Sequence, residues 1–283
     1  MHSLNKLSLR LLLFAASALC SHSWAANGKL LATPGVMQIE GSAGGGLVPW
    51  AQLAGYASAQ EIAASAACNH AYLDDYKLSV CSAQINFYDR VELSLAQQQL
   101  QINALNLSIK QNIAAVKLRL AGDIVYSPWP QISLGLQAKY LQDQNIAYAL
   151  GAQKDSDQDV YIAASKLHLG ALAGYNWFWN ITMRNTQANQ LGLLGFGSAT
   201  TGQQRRWQIE ASSAIFINQH WAIGLEYRQK PDQLAIKEED WRDLFIAWFP
   251  NKSISVTAAW LELGTIAGAP SQRGWYLSLA GYL

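Results

Sequence analysis

The stretch Gln131-Ile132-Ser133-Leu134-Gly135-Leu136-Gln137-Ala138-Lys139-Tyr140 decides the fold class. Apolar residues at 132, 134, 136, 138 and 140 alternate with Gln131, Ser133, Gly135, Gln137 and Lys139. Successive side chains of a strand point to opposite faces, so this segment carries one greasy and one polar face. Its length is that of a tilted strand crossing a bilayer. The dyad recurs in Val116 to Leu120, Trp221 to Arg228, Trp207 to Ile217, Tyr175 to Met183, Val91 to Leu95 and Ile254 to Trp260. The one helical stripe is a weak segment, Asn145 to Ala152.

The connections between these segments alternate in length. Short turns are expected near Ser58 to Gln60, Asp89, Gly170, Asn218 and Asn251, with a longer one at Asp123 to Pro130. Between them fall long connections at Gln99 to Ser108, Gln142 to Asp157, Asn185 to Gly202, Lys230 to Asp240 and Gly264 to Gln272. Short turns on one side and longer loops on the other are the habit of an outer-membrane barrel. The expectation is therefore an all-β, single antiparallel transmembrane β-barrel with periplasmic termini. The count is 14 strands, or 12 if the Gly- and Pro-interrupted start (Pro34, Gly41, Gly44 to Gly46) is not a spanning hairpin.

Composition agrees. Of 283 residues, 51% are hydrophobic and only 14% charged, against roughly a quarter charged in ordinary soluble domains. Beyond the extreme N-terminus no apolar run reaches the length of a spanning helix, which excludes a polytopic helical membrane protein. Residues 1–25 read as a cleaved signal peptide, with Lys6 and Arg10 before the apolar run Leu11 to Leu19 and small residues at Ser23 and Ala25. Leu19 argues against lipidation of Cys20. Residues 26–283 then form the barrel, exported to the outer membrane of a Gram-negative bacterium. A net charge of +1 without a basic stripe leaves no footprint for nucleic acid.

Seven tryptophans are expected at the two headgroup levels: Trp50, Trp207, Trp241 and Trp275 beside the long loops, Trp129, Trp221 and Trp248 beside the short turns. Matching greasy faces across hairpins centres one turn on Asn218, which sets Ile215 against Trp221, Ala211 against Leu225 and Glu210 against Glu226. A second turn centres on Asn251. Cys68 and Cys81 are equidistant from Asp74-Asp75, and a two-residue turn there makes them a close, non-hydrogen-bonded pair suited to a disulfide.

Few residues suggest chemistry. His70, with Asp74 and Asp75 nearby, admits a weak outer-membrane hydrolase reading, whereas His168 and His220 read as interface residues. No ligand spacing points to a metal, and the glycines of 41–46 and 192–197 lack the sequence context of a phosphate loop, so no cofactor is expected. The charged candidates for a lumen are Lys117, Arg119, Lys139, Arg184, Glu210, Glu226, Arg228 and Asp243, together with Glu92 and Glu262. Their mixed signs favour an ion-pair network in the wall over a selectivity ring.

The chain ends Arg273-Gly274-Trp275-Tyr276-Leu277-Ser278-Leu279-Ala280-Gly281-Tyr282-Leu283, similar to the terminal strand read by outer-membrane assembly machinery but closing on Leu. With Gly44 to Trp50, Phe87 to Ala96, Val116 to Asp123, Leu191 to Gly197, Glu226 to Asp232 and Ala247 to Pro250, it resembles a proteobacterial domain-of-unknown-function family, number 3034. The resemblance spans the mature chain and implies an exported barrel with no established activity. The expected function is a non-enzymatic channel or transporter for small solutes, surrounded by outer-membrane lipids. Abundant Gln, Ser and Asn on the polar faces suggest neutral hydrophilic solutes. An inward fold of the Gly-rich N-terminal segment would instead constrict the pore and suit apolar compounds. The alternative is a non-conducting structural or interaction barrel.

Overall fold

The computed structural model describes residues 29–199, 202, 205–234 and 238–283. The expected signal peptide, residues 1–25, lies outside the described residues. Two short strands come first, β1 (Val36–Met37) and β2 (Ala43–Gly44), paired only with each other. Twelve long strands follow: β3 (Ile62–Leu73), β4 (Tyr76–Phe87), β5 (Val91–Ile102), β6 (Leu107–Ala121), β7 (Gln131–Leu141), β8 (Ser156–Leu172), β9 (Tyr175–Thr186), β10 (Arg206–Phe216), β11 (Trp221–Arg228), β12 (Trp241–Asn251), β13 (Ile254–Ile266) and β14 (Ala269–Tyr282). Each pairs antiparallel with its neighbours in sequence, and β14 closes on β3. The barrel therefore has 12 strands. The count of 14 fails because the Gly/Pro-interrupted start makes no spanning hairpin.

Both ends of the strand run, Ile62 and Leu283, lie at one end of the barrel, called here the turn end, where Tyr88 to Arg90 and Ala173-Gly174 make tight reversals. The other, the loop end, carries the segments 142–155, 187–205 and 229–240. Two of the five long connections expected there are short. β5 and β6 are separated by Asn103–Asn106, and β13 and β14 by Ala267-Gly268, because the strands extend into the predicted loops. The segment Asn145–Ala149 is helical, α1.

Register follows turn chemistry. The β3–β4 hairpin turns on Asp74-Asp75 and pairs Ser65 with Gln84, Ala64 with Ile85 and Cys68 with Cys81. The two cysteines form a disulfide across a Cα separation of 4.2 Å, on the outward face. Two other hairpins differ from the sequence reading. β10–β11 centres on Gln219, so Ile215 faces Ile223, Ala211 faces Tyr227, and Glu210 faces Arg228 instead of Glu226. The cause is Asn218, whose Oδ1 accepts the His220 and Trp221 N–H groups at 2.8 and 3.0 Å and so opens the turn. Asn251 does the same with Ser253 and Ile254, and β12–β13 sets Leu244 against Trp260, with a register shift after Trp248. Each slip amounts to two residues in pairing, so neither turns a strand face over.

The outward faces form an apolar belt that includes Leu95, Leu134, Ile181, Ile209, Leu225, Leu244, Leu277 and Leu279. Trp129, Trp177, Trp221 and Trp248 are exposed toward its turn end, and Trp207, Trp260 and Trp275 toward its loop end. Trp50 and Trp241 are not in either group. Both are buried inside, Trp50 at 6% exposure with its Nε1 donating to Ser212 Oγ at 2.8 Å, and Trp241 under Lys230. Trp50 lies outside the strands, and Trp241 opens β12 in the inward parity.

Candidate functional site

The interior is occupied by the chain's own N-terminal segment, residues 29–57, which enters from the turn end. Once threaded inside, its backbone pairs with itself, in β1–β2 and in a bridge between Gly44 and Pro49, and is part of no strand ladder of the barrel among the described residues. Buried N–H and C=O groups must nonetheless be satisfied. The inward side chains of the barrel do this. Gln98 Nε2 donates to Ile39 O and Gln84 Nε2 to Gly41 O, both at 2.7 Å. Gln131 Nε2 donates to Ala51 O at 2.7 Å, and Thr182 Oγ1 to Pro49 O at 2.8 Å. Asn86 Nδ2 reaches Ala54 O at 2.9 Å, and Tyr276 OH reaches Met37 O at 3.1 Å. The Gln, Ser and Asn residues that suggested a solute-lined wall therefore hold the plug.

The charged residues expected in the lumen fall into two groups around it. In the first, Glu40 on the plug meets Arg228 Nη1 at 2.8 Å, Arg184 Nη2 at 3.3 Å and the Lys139 ammonium. Lys139 also pairs with Asp159 at 2.6 Å, and Glu210 pairs with Arg184 at 2.6 Å and Arg228 at 3.4 Å. Three anions and three cations are thus fully desolvated in one closed network. In the second, Glu92 accepts the Ala43 and Ala54 N–H groups at 3.2 and 2.7 Å, while Lys117 donates to Ala43 O and Gln52 O, both at 2.8 Å. Glu226 accepts the Leu47 N–H at 2.7 Å and the Ser212 hydroxyl at 2.6 Å. Asp243, its cross-strand neighbour, is buried with neither carboxylate oxygen partnered among the described residues.

Two candidates lie elsewhere. Arg119 sits at the turn end, largely buried between Asp89 and Asp123. Glu262 points outward, beside Arg273 on the neighbouring strand. Arg119 lies two residues before the end of β6, whereas Glu262 lies within β13 and shares the outward parity of Trp260, so alternation itself places it outside. Glu40, the centre of the network, was missed by sequence reading because it sits in a segment without strand periodicity. The charge count gave no signal for it, since the ten charged candidates read from the strands already balance, five cations against five anions.

His70 is exposed on the outward face, hydrogen-bonded to Ser79 and stacked on Tyr72. Asp75 is engaged by Gln272. His168 accepts from Trp179 Nε1 at 3.0 Å, and His220 contacts Phe249 O. Among the described residues the Ser79 hydroxyl is the hydrogen-bond partner of His70, and no carboxylate is hydrogen-bonded to any of the three imidazoles.

Toward the loop end the inward face changes character. Leu78, Val80, Leu100, Ile109, Ile113 and Leu141 replace the expected polar residues. The loop after β9 folds in over them, with Leu191, Leu193 and Leu194 joining the same apolar core. Gln111 Nε2 holds its Leu191 carbonyl at 3.1 Å, and paired backbone bonds between Lys154 and Phe196 tie it to the preceding loop. Glu238, Lys230 and Gln190 form a further contact between the loops after β9 and β11. Burial pushes the Glu238 carboxyl up despite Lys230 beside it, and pushes the Lys230 ammonium down. Plug below and loop above both fill the barrel interior.

A family model described as a protein of unknown function (DUF3034) matches residues 33–280. The chain belongs to that family. The DUF3034 match begins inside the plug and runs to the last strand, so plug and barrel are one family unit. No curated protein matches the sequence. Among solved structures, the KdgM porin is similar in fold, with a TM-score of 0.50 and 8% identity over 77% of this chain and 98% of that one. The NanC porin gives 0.49 and 8% identity over 77% of this chain and 99% of that one. The outer-membrane protein Omp33 of Acinetobacter baumannii gives 0.47 and 7% identity over 80% of this chain and 100% of that one.

Proposed function

We propose that this DUF3034 protein is an outer-membrane barrel that passes small solutes when its plug is displaced. The observation that carries the reading is the occupied interior: the barrel is wide enough to hold a folded segment of its own chain, residues 29–57, attached to the wall through side chains. Twelve strands enclose more space than side chains alone fill, and here the surplus is taken by the chain's own N-terminal segment. The apolar belt between two aromatic levels suits a bilayer. With the short turns and both strand-run ends in the periplasm, the plug is entered from the periplasm and the inward-folded loops face outside. The apolar inner wall at the loop end supports a solute with apolar surface over the neutral hydrophilic solute that composition suggested.

The alternative, a non-conducting structural barrel, is favoured by how completely the plug's backbone is satisfied. Conductance of the refolded mature protein in planar bilayers separates the two. The expected result for the wild type is a mainly closed barrel with rare discrete openings, which become frequent when the plug's ion network is weakened. A barrel that stays silent after the plug is released supports the structural reading.

A further inference from the structure

Glu226 on β11 and Asp243 on β12 are cross-strand partners with both carboxyls turned into the barrel, at 3% and 5% exposure. They lie where the plug bends. Glu226 holds the Leu47 N–H at 2.7 Å, and a Cβ built on Gly46 would meet Glu226 Oε2 at 3.5 Å and the Tyr276 ring at 3.3 Å. The Ser212 hydroxyl gives Glu226 a second donor at 2.6 Å. Asp243 has no such support. Neither of its oxygens makes a hydrogen bond among the described residues, and the main-chain N–H of Glu226 is only a weak donor beside it.

The surrounding groups offer the pair no spare cation. Arg228, on the same strand as Glu226, is taken up by Glu40 of the plug at 2.8 Å, by Glu210 at 3.4 Å and by the Leu47 carbonyl at 2.9 Å. Lys230, just past the end of β11, is held by Glu238 at 3.0 Å and lies over Trp241. β10 contributes Glu210 and Ser212, β13 sets Leu261 against Asp243, and β14 contributes Tyr276, whose hydroxyl donates to Met37 O. Two adjacent carboxylates repel, and a buried charge without a partner is neutralised instead of kept. A proton is the neutralising ligand that needs no cavity, and the Asp243 oxygens are sealed from solvent.

We propose that the Glu226–Asp243 pair carries a single proton while the plug is docked, held on Asp243, and that this proton helps to fasten the plug. Glu226, with its two donors, stays ionised and grips Leu47, and neutral Asp243 spares it a second buried charge. When the plug leaves, water reaches the pair and Asp243 releases its proton to solvent as an ordinary carboxyl does. The docked state then binds one proton more than the undocked one. Docking is therefore strongest below the ordinary carboxyl range and weakens about tenfold per pH unit above it, until the docked pair itself ionises. The effect on conduction rests on the plug-displacement reading; the retained proton does not.

The test compares infrared spectra of mature protein refolded in light and in heavy water at neutral pH. A carbonyl band of a neutral carboxylic acid, shifted by deuterium, is expected in the wild type and is lost in Asp243→Asn, which separates it from any band of Glu238. Asp243→Ser takes the place of Asp243→Asn if that variant does not refold. Maleimide labelling of Ser42→Cys, buried in the docked plug, is then measured with Asp243 and with Asn in its place, and the ratio of the two rates cancels the thiol's own pH dependence. That ratio is expected to rise about tenfold per pH unit between about pH 5 and pH 7. Absence of the band, or a band that survives loss of Asp243, overturns the retained proton. A flat labelling ratio overturns its part in fastening the plug. Silence in bilayers with both expected results in hand fails the conducting reading alone.

Discussion

Replacing Glu40 by Gln removes one anion from a buried set of six charges and leaves Lys139, Arg184 and Arg228 facing only Asp159 and Glu210. Glu40 is fully buried and Arg228 approaches it at 2.8 Å, so solvent does little to screen the loss. Removing one member of a buried ion pair costs about 3–5 kcal/mol, because the partner is left buried and uncompensated. Glu40 is on the plug and all three cations are on the barrel, so this cost falls on docking. At about 1.4 kcal/mol per decade, the docked-to-undocked ratio drops by roughly two to three and a half orders of magnitude. A Ser42→Cys probe, buried beside Gln38 in the docked plug, reports the change through its rate of labelling by a small maleimide. Heat-modifiable gel mobility checks that the barrel itself is folded. The rate is expected to rise by at least a hundredfold in Glu40→Gln, with a parallel rise in open probability in bilayers. Adding Lys139→Met restores two cations against two anions and recovers part of the docking. Equal labelling with and without Glu40→Gln in folded protein refutes the argument, since the ion network would then not hold the plug.

Three further outcomes follow from other contacts. Gly45→Ala places a methyl group 1.8 Å from Glu226 Oε1, so the carboxylate must leave the Leu47 N–H; Ser42→Cys labelling is expected to accelerate, though less than in Glu40→Gln. Reducing the Cys68–Cys81 disulfide, which closes a segment of 13 residues, is expected to lower the thermal transition by at most the equivalent of about 3 kcal/mol, measured by circular dichroism with and without reductant. Burial opposes ionisation of Asp123, but the Tyr126 and Val125 N–H groups and Arg119 hold its carboxyl below the usual range. A depressed carboxylate contributes stability above its unfolded value and loses it as pH falls through the folded one. The β6–β7 loop is therefore expected to become sensitive to acid-active protease only below about pH 4, and in Asp123→Ala at neutral pH as well.

What the sequence made legible depended on how strongly each stretch constrained itself. Asp74-Asp75 leaves a two-residue turn as the reading, and the pairing of Cys68 with Cys81 follows from counting. Asn218 and Asn251 are different. Each side chain makes hydrogen bonds to the backbone two and three residues on, which widens the turn by an amount that alternation cannot detect. Inward parity was readable along the strands, as for Lys117, Lys139 and Arg184, and it also puts Glu262 on the outward face with Trp260, against the expectation of a lumen position. The plug was the least legible part. Its residues pack against side chains scattered over ten strands, and contacts so remote in sequence leave no local period. Gly45 and Glu40 matter through partners 181 and 188 positions away, Glu226 and Arg228.

The plug precedes the barrel in the chain, and the two meet at the seam. Every strand from β3 onward is made after the segment it encloses, and the seam where β14 meets β3 lies next to where the plug leaves the wall. Tyr276 and Tyr282, on the last strand, hydrogen-bond to Met37 O and Gly35 O near the start. The strand that closes the cylinder is thus also one that grips the plug, so the seam and the plug are fastened by the same residues.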